Sequence, residues 1–243
     1  MVLRWLDENR PYGLHMGGDT NDFTTLSKYR WEPDMVPDRD RAVRACLDSS
    51  KQVATEYVQA GRPKVKTHTG GNHDVRLENY VLDHASALWG IRQDLEVLMG
   101  LDKLGFTWPK KRWPHGEVKI SSKLAQRHGW IVRKASGASA HATLLHLGYS
   151  CIIGHTHRQG MSYITRHDID GSTATLVGVE AGTLATLDGL GYATAPDWQQ
   201  GFATARVQPD GTFSAGLATY VNGVLRWENQ SYMKTGRGIK VER

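Results

Sequence analysis

The spacing of apolar and polar positions along the chain predicts an α/β segment followed by a β-rich one. Leu3 and Leu6, with their polar neighbours, mark the end of a helix. Residues 12–17 read as a short strand that runs into Gly17-Gly18-Asp19, where two glycines permit a tight turn. Between Asp38 and Ala60 the apolar positions Val43, Cys46, Leu47, Val53, Ala54, Tyr57 and Val58 fall at helical spacing, with Asp38 or Asp40 as cap and Gly61 as stop. Residues 64–69 form a second strand ending in Gly70-Gly71-Asn72-His73-Asp74, and helical patterns follow at 77–89 and 93–100. Residues 108–117, with Pro109, Pro114 and Gly116, read as a loop. A helix over 136–147 stops at Gly148, and a strand over 149–153 leads into Gly154-His155-Thr156-His157. After residue 160 strand-like runs at 161–166, 174–180, 202–207, 212–221 and 224–228 are separated by Asp170-Gly171, Pro209-Asp210-Gly211 and Asn222-Gly223, which predicts a β-meander.

This order implies one α/β domain over residues 1–243, with an α/β half to about residue 160 and a second sheet supplied by the rest. No repeat or linker divides it. The composition, 40% hydrophobic and 23% charged, is that of an ordinary globular chain. No apolar stretch approaches the roughly 18 residues of a membrane span. The charges in the first ten residues argue against a signal peptide, and a cytoplasmic location without membrane contact is expected. Two distant cysteines, Cys46 and Cys151, suggest buried thiols rather than a disulfide framework or a thiolate zinc site.

The charge balance, 30 Lys and Arg against 25 Asp and Glu, gives +5 and a pI near 9.2, which fits a phosphate-bearing or nucleic-acid partner. The basic residues are dispersed, and the densest run is Pro109-Lys110-Lys111-Arg112-Trp113. Trp108 and Trp113 beside it either stack on a base or, more commonly, tuck onto the core.

Three strand ends carry the chemistry: Gly18-Asp19-Thr20-Asn21-Asp22, Gly71-Asn72-His73-Asp74 and Gly154-His155-Thr156-His157. Loops at the carboxyl ends of strands in an open α/β sheet converge on one crevice, so these groups are expected to meet. His155 and His157, two apart on extended backbone, are expected to project to the same side as imidazole ligands. Asp19 offers two carboxylate oxygens and Asn72 a neutral amide oxygen. Oxygen and imidazole without thiolate suit manganese, iron or zinc, and a pair of such ions stabilises in-line attack at phosphorus. Each motif alone has a plainer reading as a turn or helix cap. Together and in this order they would require three independent coincidences.

These residues resemble the ordered signature of the calcineurin-like metallophosphoesterases: Asp-x-His, Gly-Asp-x-x-Asp, Gly-Asn-His-(Asp/Glu), a lone His often followed by Gly, and Gly-His-x-His. Four of the five blocks are present, with His128-Gly129 as the fourth. The resemblance spans most of the chain and is closest to small phage and bacterial members, which carry Phe after the second Asp, followed by Ser and Lys, as Phe23, Ser27 and Lys28 do here. It implies an αββα sandwich and two divalent ions, manganese first, with iron or zinc as alternatives. It makes Asp19 the bridging ligand, puts Asn72, His128 and His155 on one ion and His157 on the other, and gives His73 the protonation of the leaving oxygen, with Asp22 orienting its imidazole. A metal-bound hydroxide is then the nucleophile. Asp74 receives no direct role beyond a helix cap. Arg76 and Arg158 flank the motifs as phosphate ligands or as salt-bridge partners. Histidines 15, 68, 84, 115, 141, 146 and 167 read as structural.

The family's first block is missing. No Asp-x-His precedes Gly18, and Asp7-Glu8-Asn9 is the nearest approach. The expectation is that the family's first strand is absent from this chain and two metal ligands with it. The leading function is therefore a metal-dependent phosphoesterase using a two-metal hydroxide mechanism, a phosphodiesterase or DNA exonuclease-like enzyme. The alternative is a degenerate, non-catalytic nucleic-acid-binding module.

Overall fold

The computed structural model describes residues 1–28, 39–91, 93–187, 195–236 and 238–243. The chain is of the mixed α/β class and forms two compact units, Leu6–Gly116 and Met1–Trp5 with Glu117–Arg243.

The Leu6–Gly116 unit is built on a strand–helix–strand core. Strand β1 (Gly13–Met16) pairs in parallel with β2 (Val65–His68), and the 23-residue helix α2 (Arg39–Gly61) connects them. A parallel pair needs such a crossover, because a hairpin turn cannot return the chain to the same end. The cap expected at Asp38 lies outside the described residues, and Asp40 lies within the helix rather than at its start. Gly61 is the last helical residue and not the stop: the left-handed position falls on Arg62 (φ 49°), with Pro63 next. A Cβ on Gly61 would stand 3.3 Å from Leu6 Cδ2, so the missing side chain serves close packing. The helix expected over 77–89 is split into α3 (Val75–Ala85) and a 3₁₀ segment (Ser86–Ile91), and the next is a single turn, α4 (Leu95–Leu98). Phe23, Ala54, Leu95, Met99, Leu101 and Phe106 form the buried core between them.

The second unit is layered. One five-stranded sheet has the order β3 (Glu117–Lys119), β4 (Leu124–Arg127), β5 (Ser150–Ile153), β7 (Thr173–Ala181), β6 (Gln159–His167). Its β4, β5 and β7 are parallel and its edges antiparallel. The other runs in consecutive antiparallel order through β8 (Gln200–Val207), β9 (Phe213–Val221), β10 (Val224–Trp227), β11 (Gln230–Thr235) and β12 (Gly238–Glu242). The meander expected after residue 160 therefore begins only at β8, because β6 and β7 complete the first sheet. Helix α5 (Ala138–Leu147) covers one face of that sheet through Ala140, Leu144, Cys151 and Ile153. The other face packs Leu124, Ile152 and Val179 against Ala203, Ala205, Phe213 and Leu217 of the second sheet. On that sheet's outer face Trp5, from helix α1 (Val2–Asn9), sits edge-on to Phe202 (4.8 Å) and Trp227 (5.1 Å).

Both cysteines are free thiols, but only Cys151 is fully buried, and burial pushes its thiol up to about 12. Among the described residues no helix is long and apolar enough to cross a membrane.

Glu180, wholly buried, accepts the backbone N–H groups of Gly137 (3.0 Å) and Ala140 (3.2 Å) at the start of α5. This close join leaves no room at Gly160, where a Cβ would lie 2.3 Å from Gly137 N and 2.8 Å from its Cα. Gly160→Ala is therefore expected to cost about 3 kcal/mol, the upper range for overpacking a core site, read as a lowered urea midpoint.

Candidate functional site

In the Leu6–Gly116 unit β1 and β2 end side by side and deliver the two acidic loops next to each other. Asp19 follows Gly18 (φ 92°) and is itself left-handed (φ 50°), a conformation Asp tolerates better than most residues. From there its Oδ1 accepts the backbone N–H of His73 at 2.8 Å. The His73 imidazole and Asp22 carboxylate are hydrogen-bonded through Nδ1 and Oδ1. Arg76 completes the group: its Nη1 donates to Asp22 O (2.7 Å) and Oδ1 (3.1 Å), and its Nη2 lies 3.2 Å from His73 Nε2. A guanidinium only donates, so Nε2 must be the acceptor, and in the neutral ring Nδ1 then carries the proton that Asp22 accepts. Burial opposes ionisation of Asp22. Hydrogen bonds from His73 and Thr24 and the charge of Arg76 outweigh it and hold the carboxyl below the usual carboxylate range.

Beneath this group lies a buried polar network that sequence reasoning missed. Asp74 stands at the N-cap position of α3 but makes no side-chain cap bond there, contrary to expectation. Only 1% exposed, it accepts Asn21 N (3.0 Å) and Nδ2 (3.1 Å) on Oδ1 and Gly71 N (2.9 Å) on Oδ2. One carboxylate thus ties the Gly-Asp-x-x-Asp loop to the Gly-Asn-His loop. Ser50 reaches down from α2 to Asn21 Oδ1 (2.7 Å). His68 is completely buried, as its structural reading requires, with Thr20 Oγ1 at 3.0 Å and Glu96 Oε1 at 3.1 Å. The only hint in the sequence was the short spacing from Gly71 to Asp74. Asn72 lies half-buried in the turn before α3.

In the other unit, His128 directly follows β4 and the Gly154-His155-Thr156-His157 loop directly follows β5, its parallel neighbour. Gly154 N donates to His128 O (2.9 Å), which locks the two strand ends together. His155 and His157 do not sit on extended backbone as expected. Both are left-handed, φ 61° and 59°, and at His155 the loop folds back on itself, with Thr156 N donating to Gly154 O at 2.6 Å. Departures of this kind in non-glycine residues cost of order 1–3 kcal/mol each and cluster at functional sites. The turn brings His155 Nδ1 to 3.2 Å from His128 Nε2, rings 5.1 Å apart, and it lays His157 edge-on to Trp198 at 4.3 Å. Arg158 faces Asp197, Nε to Oδ2 3.6 Å.

The basic run is partly committed to the fold. Arg112 is paired with Glu78, bonds Asn79 Oδ1 (3.0 Å) and lies over the Trp89 ring (5.2 Å). Lys110 and Lys111 are exposed, while Trp108 and Trp113 are half-buried.

No family model matches the chain. It is similar to the Gene 54 protein of Mycobacterium phage L5, 28% identical over a 217-residue alignment that covers 85% of this chain and 81% of that protein. The Gene 54 protein of Mycobacterium phage D29 is 28% identical over 214 residues, again 85% and 81%.

Proposed function

We propose that the chain is a metal-dependent phosphoesterase of the calcineurin-like kind, with an αββα sandwich fold, acting on phosphodiesters, those of nucleic acid among them. The observation that carries the reading is the Asp22–His73 pair, an imidazole oriented by a carboxylate through Nδ1 and held beside Asp19 through its own backbone N–H. That is the arrangement a general acid requires. His73 takes up a proton from solvent on Nε2 and passes it to the leaving oxygen, while Asp22 holds the ring through Nδ1.

The donor set suits divalent ions: the Asp19 carboxylate, the Asn72 amide oxygen and the imidazoles of His128, His155 and His157, with no thiolate. Two nitrogens bound tetrahedrally to one ion at about 2.1 Å lie about 3.4 Å apart. His128 Nε2 and His155 Nδ1, at 3.2 Å, need to part by only a few tenths of an ångström to reach it. The resemblance assigns Asp19, Asn72, His128 and His155 to one ion, and Asp19 and His157 to the second. Bound divalent ions would supply Lewis acidity and neutralise charge on the phosphoryl oxygens. Because Asp19 Oδ1 also receives the His73 backbone N–H, the ligand and the acid share one register.

The test is hydrolysis of a generic aryl phosphodiester with manganese, zinc or iron added, beside calorimetric titration with manganese. The wild-type chain should turn over with manganese, and His155→Ala should weaken manganese binding by at least roughly tenfold, the minimum that removal of a ligand should cost when its supporting groups alone cost that much. Absence of hydrolysis with every metal overturns the reading. Salt-sensitive binding of DNA or RNA without turnover would instead favour the non-catalytic binding module.

A further inference from the structure

We propose that Arg76 is the anion receptor of the site: it caps His73 Nε2 at rest, and a non-bridging phosphoryl oxygen of the substrate takes over that donor. The assignment deepens the phosphoesterase reading and rests on it. A plain salt bridge needs only Asp22. Arg76 does more, because the fork of one guanidinium is divided between two jobs: Nη1 holds Asp22 O (2.7 Å) and Oδ1 (3.1 Å), while Nη2 meets His73 Nε2 at 3.2 Å. Nε2 is the atom the acid must present to the leaving oxygen. As long as Nη2 occupies it, Nε2 can neither carry the proton it must donate nor meet the leaving oxygen.

The exchange is favoured by the chemistry of the two acceptors. A neutral imidazole nitrogen is a weaker partner for a guanidinium than a charged phosphoryl oxygen, which makes the shorter and stronger charge-assisted bond. Because Nη1 stays on Asp22, the guanidinium needs only to pivot. It is pre-organised and still reachable, its side chain being 19% exposed. As a contributor to stability the Arg76–Asp22 pair is a poor explanation, since Asp22 is 44% exposed and pairs of that kind are worth little. A lysine could supply the charge but not two donors pointing at two acceptors.

The experiment compares the full chain with Arg76→Ala and Arg76→Lys in manganese. It measures inhibition by inorganic phosphate, KM and kcat for the aryl phosphodiester, manganese affinity by calorimetry, and thermal melting. In Arg76→Ala the phosphate inhibition constant and KM should both rise roughly 10- to 100-fold, the worth of one charge-assisted hydrogen bond, with manganese affinity unchanged. Arg76→Lys should recover part of the loss, and added guanidinium ion should restore phosphate sensitivity to the alanine variant. Phosphate inhibition and KM equal to wild type in the variants overturn the assignment while leaving the phosphoesterase reading intact. A wild-type chain that neither hydrolyses the diester nor binds phosphate overturns both. Should the alanine variant fail to fold, the lysine variant decides: unaltered phosphate inhibition and KM there sink the proposal.

Discussion

His73→Ala is expected to lower manganese-stimulated turnover of an aryl phosphodiester by about 10²- to 10⁴-fold, the usual worth of a positioned general acid. The reason for expecting a fall in kcat without loss of the metal lies in which His73 atoms make which contacts. Asp19 takes the backbone N–H of His73, a bond that alanine keeps. The side chain alone provides the bond to Asp22 and the Nε2 atom that faces Arg76. Alanine therefore removes the proton donor while leaving the carboxylate proposed to bridge the ions in place. Calorimetry should give the same manganese affinity, and the melting temperature should move little, since the ring is near the surface with its side chain 16% exposed. Asp22→Asn should cost less than His73→Ala, because the imidazole that carries the proton remains and an amide oxygen at position 22 can still accept from its Nδ1. Turnover in His73→Ala equal to wild type would show that another group protonates the leaving oxygen.

The parts of this fold that were legible in the sequence are those where one local rule decides. The period of Val43, Cys46, Leu47 and Val58 marks α2, and the apolar run Cys151-Ile152-Ile153 marks β5. Asn222-Gly223 marks the β9–β10 hairpin, whose two turn residues have φ 51° and 81°. What was not legible depends on distant partners. Strand β4 is buried on both faces yet contains Gln126 and Arg127, so its polarity hides it. Strand β11 is mostly polar and pairs with the edge that β10 offers, and β12, only five residues long, pairs in turn with β11. The expected helix over 93–100 shrinks to one turn because Gly100, at φ 70°, is left-handed.

The site divides in the same way. The three motifs name the residues, but the conformations that make them useful come from elsewhere. His155 is left-handed at the centre of the tight turn from Gly154 O to Thr156 N, and His157 is left-handed just beyond it, a conformation the apolar strand before them does not announce. Asp74 looked like a helix cap because position alone cannot show that two loops from different strand ends will point their N–H groups at it.

That misreading identifies the substitution expected to cost most in stability. Asp74→Ala would leave Asn21 N, Asn21 Nδ2 and Gly71 N without their acceptor, at a site only 1% exposed. A buried donor left unsatisfied costs about 1–3 kcal/mol, so three together should cost about 4 kcal/mol or more. That is a large share of the 5–15 kcal/mol typical of a folded domain. The loss should appear as a lowered urea midpoint with little change in slope. Asp74→Asn should cost less, since the amide keeps one oxygen acceptor and loses the other to an NH₂ that opposes an N–H. The functional consequence follows from the same bonds. Asp74 fastens the loop of Asp19 to the loop of Asn72, both proposed metal ligands, so in the fraction that remains folded manganese affinity should fall. His73→Ala should spare that affinity, and the two variants therefore separate the chemistry from the scaffold beneath it. An Asp74→Ala chain as stable as wild type, with manganese affinity intact, would show that the two loops are held together by something other than this carboxylate.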